Sequence, residues 1–119
     1  MERNEKQKLY DLREQFKEMY LIVVSAKDKA YSYAEAGLLD ILDFLDMQLA
    51  KDESEIMYKD VCHSIIPRYR SMFPAKAGLS EFHIWHEDAA IRIPANQRYD
   101  EVKQKIEQTL KINKFSEEA

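Results

Sequence analysis

The sequence predicts an all-α protein: a single compact domain, residues 1–119, of four or five helices packed as a bundle. Three observations predict it. Apolar residues recur at three- and four-residue steps through most of the chain, which places them on one stripe of each helix. Only two glycines and three prolines occur in 119 residues, too few for the turns an all-β domain needs roughly every ten residues. The balance of 45% apolar and 34% charged residues suits a chain that buries a core rather than a disordered one. A chain of this size folds without metals or disulfides.

The first helix is expected over roughly 4–25, with Leu9, Leu12, Phe16, Met19, Tyr20 and Val23 on one stripe. No strong breaker follows. Ser25 and Asp28 are both N-cap types, and Ser32-x-x-Glu35 fits a capping box, so a turn is placed near 25–31. Without it a single rod of about 70 Å would result, at 1.5 Å per residue. The second helix, 32–50, buries Ala34, Leu38, Ile41, Leu42, Leu45 and Leu49 beside Tyr31. Leu39, Phe44 and Met47 lie off that stripe, as in a helix with a second contact surface. The third starts near Asp52 or Ser54 and carries Ile56, Tyr58, Val61, Ile65, Tyr69 and Met72 inward. Pro67 predicts a kink or a new short helix, because it lacks a donor and disfavours helical geometry at Ile66. Pro74 to Leu79, with Gly78, reads as a loop.

The next stretch, Ser80–Asp88, is SEFHIWHED. As a helix it aligns Phe82, Trp85, Ala89 and Ile93. The alternative is an α+β fold with a small hairpin at 81–93, pairing Phe82 and Ile84 with Ile93 and Ile91. Its turn would lack the Asn-Gly or Gly chemistry that tight turns prefer, so the helix is favoured. Pro94 then predicts a break or a kink. Asn96 would cap a last helix over 97–113, with Tyr99, Val102, Ile106 and Leu110 inward, and 114–119 would be a frayed tail.

The nonapeptide is also the best metal candidate. His83, His86 and Glu87, joined by Cys62 or His63, offer thiolate, imidazole and carboxylate donors of the kind zinc takes. The spacing H-x-x-H-E differs from the H-E-x-x-H of metalloproteases, and His86 falls on the apolar face. A buried structural histidine is the expectation, with no cofactor. Cys62 and His63 are adjacent, and neighbouring residues on a helix do not face each other, so they make no nucleophile–base pair. With two glycines the chain has neither G-x-x-x-x-G-K nor G-x-G-x-x-G. No catalytic residues are assigned, and the chain is read as non-enzymatic. A small-ligand pocket near Trp85, drawing on His86, Arg68 and Arg70, is a further alternative.

Charge is uneven. Residues 31–60 hold eight acids and two lysines; residues 61–80 hold Arg68, Arg70 and Lys76 and no acid. Pairing of Arg68 or Arg70 with acids of the second helix is expected. Pro67-Arg68-Tyr69-Arg70 mixes cations with an aromatic, yet three positive charges are too few for a polyanion against a net charge of −4. Nucleic acid is not the expected partner. Neither is a membrane: the longest apolar run, Met19–Val24, is far short of the ~20 residues of a spanning helix. The charged N-terminal residues lack a signal-peptide h-region, and the single cysteine fits a reducing compartment, so a cytoplasmic location is expected.

Asp40, Asp43 and Asp46 step by three along the second helix. They are the expected landing site for a basic protein, with Phe44, Met47, Tyr58, Tyr69, Ile84 and Ile91 as apolar and aromatic contacts. The same surplus apolar positions would serve a homodimer. No family resemblance is evident. Size and charge are those of small acidic helical proteins of bacteria and phages, several of which act as immunity proteins, antitoxin-like inhibitors or anti-defence factors.

Overall fold

The computed structural model describes residues 5–26, 31–73 and 87–111. These form four α-helices and no strand: α1 Glu5–Ser25, α2 Ser32–Leu49, α3 Tyr58–Arg70 and α4 Ala89–Leu110, with a 3-10 turn at Glu53–Glu55 before α3. The all-α bundle expected from the periodicity is the fold found.

The core follows the stripes. Leu9, Leu12, Phe16, Met19 and Val23 of α1 are fully buried, and Leu38, Ile41 and Leu45 of α2, Ile65 of α3 and Ile106 of α4 meet them. These residues belong to one cluster to which every helix contributes. Burial of each such side chain contributes about 1.5–3 kcal/mol. No charged or polar residue is buried among the described residues, so the interior carries no desolvated charge to offset. α1 is the shared wall. It packs along α2 and α4 and also touches α3, which lies on α2.

Gly37 marks the closest approach of α3's end to α2. A Cβ there would sit 3.1 Å from Met72 Sδ. A mid-helix glycine costs about 1 kcal/mol relative to alanine; here its bare backbone leaves room for the buried Met72.

Several local expectations are corrected. α3 begins at Tyr58, not near 52–54. The acids there form the 3-10 turn instead, and the helix starts where the Tyr58 N–H donates to Glu5 Oε2 of α1 at 3.1 Å. That carboxylate satisfies one of the orphan donors of α3's first turn. Pro67 lies inside α3 without ending it. The lost hydrogen bond is that to the carbonyl of His63, an exposed residue whose carbonyl water can serve, while Tyr69 and Met72 beyond it are held in the core.

Pro94, likewise, does not separate two helices: α4 runs through it from Ala89 to Leu110. The hairpin alternative fails at its second strand, since 89–93 is helix; 81–86 lies outside the described residues. Asn96 is no cap. It is interior to α4, and its side-chain N–H donates to the Arg92 carbonyl at 3.0 Å. The actual cap is Asp88, whose Oδ1 accepts from the Ala90 N–H at 2.9 Å. Asp88→Ala is expected to cost about 1 kcal/mol, read as a lower urea midpoint. The last helix also stops earlier than 113. Lys111 turns left-handed at φ 60° and closes it.

Candidate functional site

On α2 the apolar stripe faces α1 and the opposite face is open. Positions 36, 39, 43, 46 and 50 step by threes and fours along it, and 33, 40 and 47 run beside them at seven-residue intervals. All eight are exposed. The face therefore combines Asp40, Asp43 and Asp46 with Tyr33, Leu39 and Met47. Tyr33 is 74% and Met47 68% exposed, well beyond what core packing requires of residues on a core helix.

The aspartates differ in their surroundings. Asp40 pairs with Arg68 of α3, Nη1 to Oδ2 at 3.2 Å, as the adjoining charge blocks suggested. Arg68 also lies over the Phe44 ring, 4.6 Å from its centre, which leaves Phe44 half-buried beneath a cation. Asp46 takes Arg13 of α1, Nε to Oδ1 at 2.5 Å, and that guanidinium also meets Glu14. The bond to Asp46 raises the Arg13 pKa above its ordinary value. Asp43, between them, has no ion pair with any described residue.

Two notches open along the seam where α2 lies against α3, which runs antiparallel to it. One, of about 270 Å³, is lined by Tyr33, Ala36, Gly37, Asp40, Arg68 and Ser71. The other, of about 240 Å³, is lined by Phe44, Gln48, Lys51, Glu55, Met57, Asp60 and Val61. The Arg68–Phe44 stack stands between them. Both fall below the roughly 300–1,000 Å³ of pockets that enclose small molecules; they are sized for single side chains.

The remaining expected site residues scatter. Tyr69 is a correction: it is 2% exposed, not a surface anchor. Its ring stands edge-on to Phe16 at 6.0 Å and against Phe73 at 4.8 Å, and its hydroxyl donates to Glu107 Oε2 at 2.7 Å. Tyr58 is half-buried under Lys8, 5.5 Å from the ring centre. Ile91 is exposed, but on α4, whose neighbours are α1 and α3. Arg70 is exposed at the end of α3. Ile84, Trp85, His83 and His86 lie outside the described residues.

Of the metal donors, Glu87 is exposed ahead of α4, His63 faces solvent and Cys62 faces the core. Cys62 and His63 thus point apart, and among the described residues no group of three His, Cys, Asp or Glu side chains could hold a metal ion. Burial pushes the Cys62 thiol up, and the hydrogen bond from the Tyr58 hydroxyl opposes that only in part. A thiol held protonated is a poor nucleophile. No helix among the described residues is long and apolar enough to cross a membrane.

The buried hydroxyls and thiol have a consequence for stability. Burial, followed by the negative charges of Asp100 and Glu107, raises the Tyr99 phenol; burial and then Cys62 raise Tyr58. Each group stays protonated in the fold at pH values where the unfolded chain releases its proton. The stabilisation is therefore intact below about pH 9 and is lost as pH climbs past the unfolded values near 9 for cysteine and 10 for tyrosine. Tyr99 alone is expected to lower stability by up to about 1.4 kcal/mol per pH unit above 10. Urea midpoints measured from pH 8 to 11 should fall, and less steeply in Tyr99→Phe.

Arg13, Tyr33, Met57, Glu55 and Asp60 join the face without having been expected there. Tyr33 carries a signal, being one residue off the buried stripe. Arg13 carries none, since its partner is 33 residues away. In comparisons with family models, curated proteins and solved structures, nothing matches this chain.

Proposed function

We propose that this chain is a non-enzymatic interaction module that docks a basic protein partner through the open face of α2, in the manner of an inhibitor or immunity-type protein. One observation carries the reading. α2 contains Glu35, Asp40, Asp43 and Asp46 and no lysine or arginine, and Asp43 and Asp46 sit in its C-terminal half. The C-terminal end of a helix carries partial negative charge, so an acid in the last turn, here Asp46, is destabilising by roughly 0.3–1 kcal/mol. Aspartates three apart also repel one another, and aspartate is a poor helix former. Arg68 and Arg13 relieve Asp40 and Asp46, and nothing described relieves Asp43.

A local rule broken without compensation is the mark of a surface kept for something other than stability. Exposed Tyr33, Leu39 and Met47 on the same face supply the apolar centre that an interface needs, and the carboxylates supply steering and register. The experiment is affinity for the protein partner recovered from the native host after charge reversal on α2. Binding should weaken with the folded state retained, and unchanged affinity would refute the reading.

A further inference from the structure

We propose that the seam between α2 and α3 receives one amphipathic helix of that basic partner, with an apolar side chain in the notch at Gly37 and a lysine or arginine in the notch at Phe44. The inference rests on α2 being the docking face and adds what docks there and how it is read.

The two notches differ in chemistry. At Gly37 the space beside the glycine is filled by Met72, and Ala36 and the Tyr33 ring make an apolar wall beside the Arg68–Asp40 pair. At Phe44 the apolar lining is Phe44, Val61 and the exposed Met57, and the acids Glu55 and Asp60 line it against the single cation Lys51. An apolar lining with acids beside it suits a long-stemmed cation. The methylenes lie on Phe44 and Met57 while the head reaches the carboxylates. A short apolar side chain would leave those acids desolvated and unpaired.

Spacing selects the form of the occupant. The notches are centred nine to ten residues apart along α2, roughly 14 Å at 1.5 Å per residue. A partner helix lying along the seam places residues i and i+11 about 16 Å apart on one face, within side-chain reach of both notches, with i+4 and i+7 between them. An extended segment would also span it, but its N–H and C=O groups would face side chains of two helices whose own backbone is already bonded. A helix brings its backbone satisfied. Arg68 shows how the seam treats a guanidinium: it rests on Phe44 and pairs with Asp40. Asp43, one row outward, meets the partner's flank.

The test uses a display library of stapled helical peptides randomised at i, i+4, i+7 and i+11, selected on the full chain. The expected result is enrichment of Arg or Lys at one end position and of Leu, Met or Phe at the other. Binding of the selected peptides should then weaken about tenfold in Tyr33→Ala and in Asp60→Lys, two exposed positions whose circular dichroism should match the parent. Selection without a cation at an end position, or peptides that bind both variants like the parent, would overturn the proposal. If those same peptides still lost affinity for Asp43→Lys, the docking face on α2 would stand and only the seam would be wrong. Insensitivity to Asp43 as well would remove both. A stable dimer of the free chain that closes the seam to every peptide would overturn the choice of occupant.

Discussion

Phe16→Ala is expected to lower folding stability by about 4 kcal/mol, the upper part of the range for a buried phenylalanine. Phe16 lies midway along α1, the helix that touches all three others, and it is completely buried. Its ring packs edge-to-face with Tyr69 of α3 at an interplanar angle of 75°, an arrangement worth about 0.5–1.5 kcal/mol beyond burial. Truncation would remove that pairing and leave a void in the core cluster to which all four helices contribute. Each helix is pinned by its own stripe, so collapse into the void is limited. The urea midpoint should fall by about 2 M at an unchanged slope near 2 kcal/mol per M. Leu21→Ala, on the same helix but 55% exposed, should cost less than about 0.5 kcal/mol. Equal costs for the two would mean that the core is not centred on α1.

What could be read from the sequence was the burial pattern, because burial is a one-dimensional signal on a helix. The stripes of α1 and of Tyr99, Val102, Ile106 and Leu110 in α4 are in the core as their spacing requires. The prolines misled because a proline's cost is local, one hydrogen bond and some backbone strain, whereas the stripe beyond it gains several buried side chains. Pro67 and Pro94 are both outweighed in this way. Tyr69 misled for a related reason. Its spacing placed it inward, yet its aromatic ring also made it a candidate contact for a partner; Glu107, 38 residues on, supplies the acceptor that lets it stay buried.

For the candidate site, the aspartate row was visible as charge, and the Arg68–Asp40 pair followed from two adjoining blocks of opposite sign. The Arg13–Asp46 pair depended on α1 lying beside α2, and the Arg98–Glu18 pair joins residues 80 apart. Such pairings belong to the assembled bundle. The seam belongs to it too. Gly37 and Met57 gain meaning only once α3 is laid antiparallel on α2, where each lines one of the two notches.

Reversal of Asp40, Asp43 and Asp46 together to lysine is expected to weaken the native partner's binding about a thousandfold, equivalent to about 4 kcal/mol. Each substitution replaces attraction to a basic surface by repulsion, and like charges set against each other across an interface cost several kcal/mol in all. The loss should appear first in the association rate and shrink at high salt, because these carboxylates are exposed and screened. Stability moves much less. The pairs with Arg68 and Arg13 are lost, at about 0.2–1 kcal/mol each for exposed pairs. Asp46→Lys, in the last turn of α2, suits the helix dipole, and lysine is a better helix former than aspartate at all three positions. The two effects offset, so the melting temperature should shift by only a few degrees, and lost binding could not be attributed to unfolding. The corresponding asparagine variants remove attraction without adding repulsion and should bind more weakly than the parent but more tightly than the lysine variant. That ordering distinguishes an electrostatic interface from a generally disturbed helix, in which asparagine and lysine would be equally harmful. Full affinity in the lysine variant would place the partner elsewhere on the molecule.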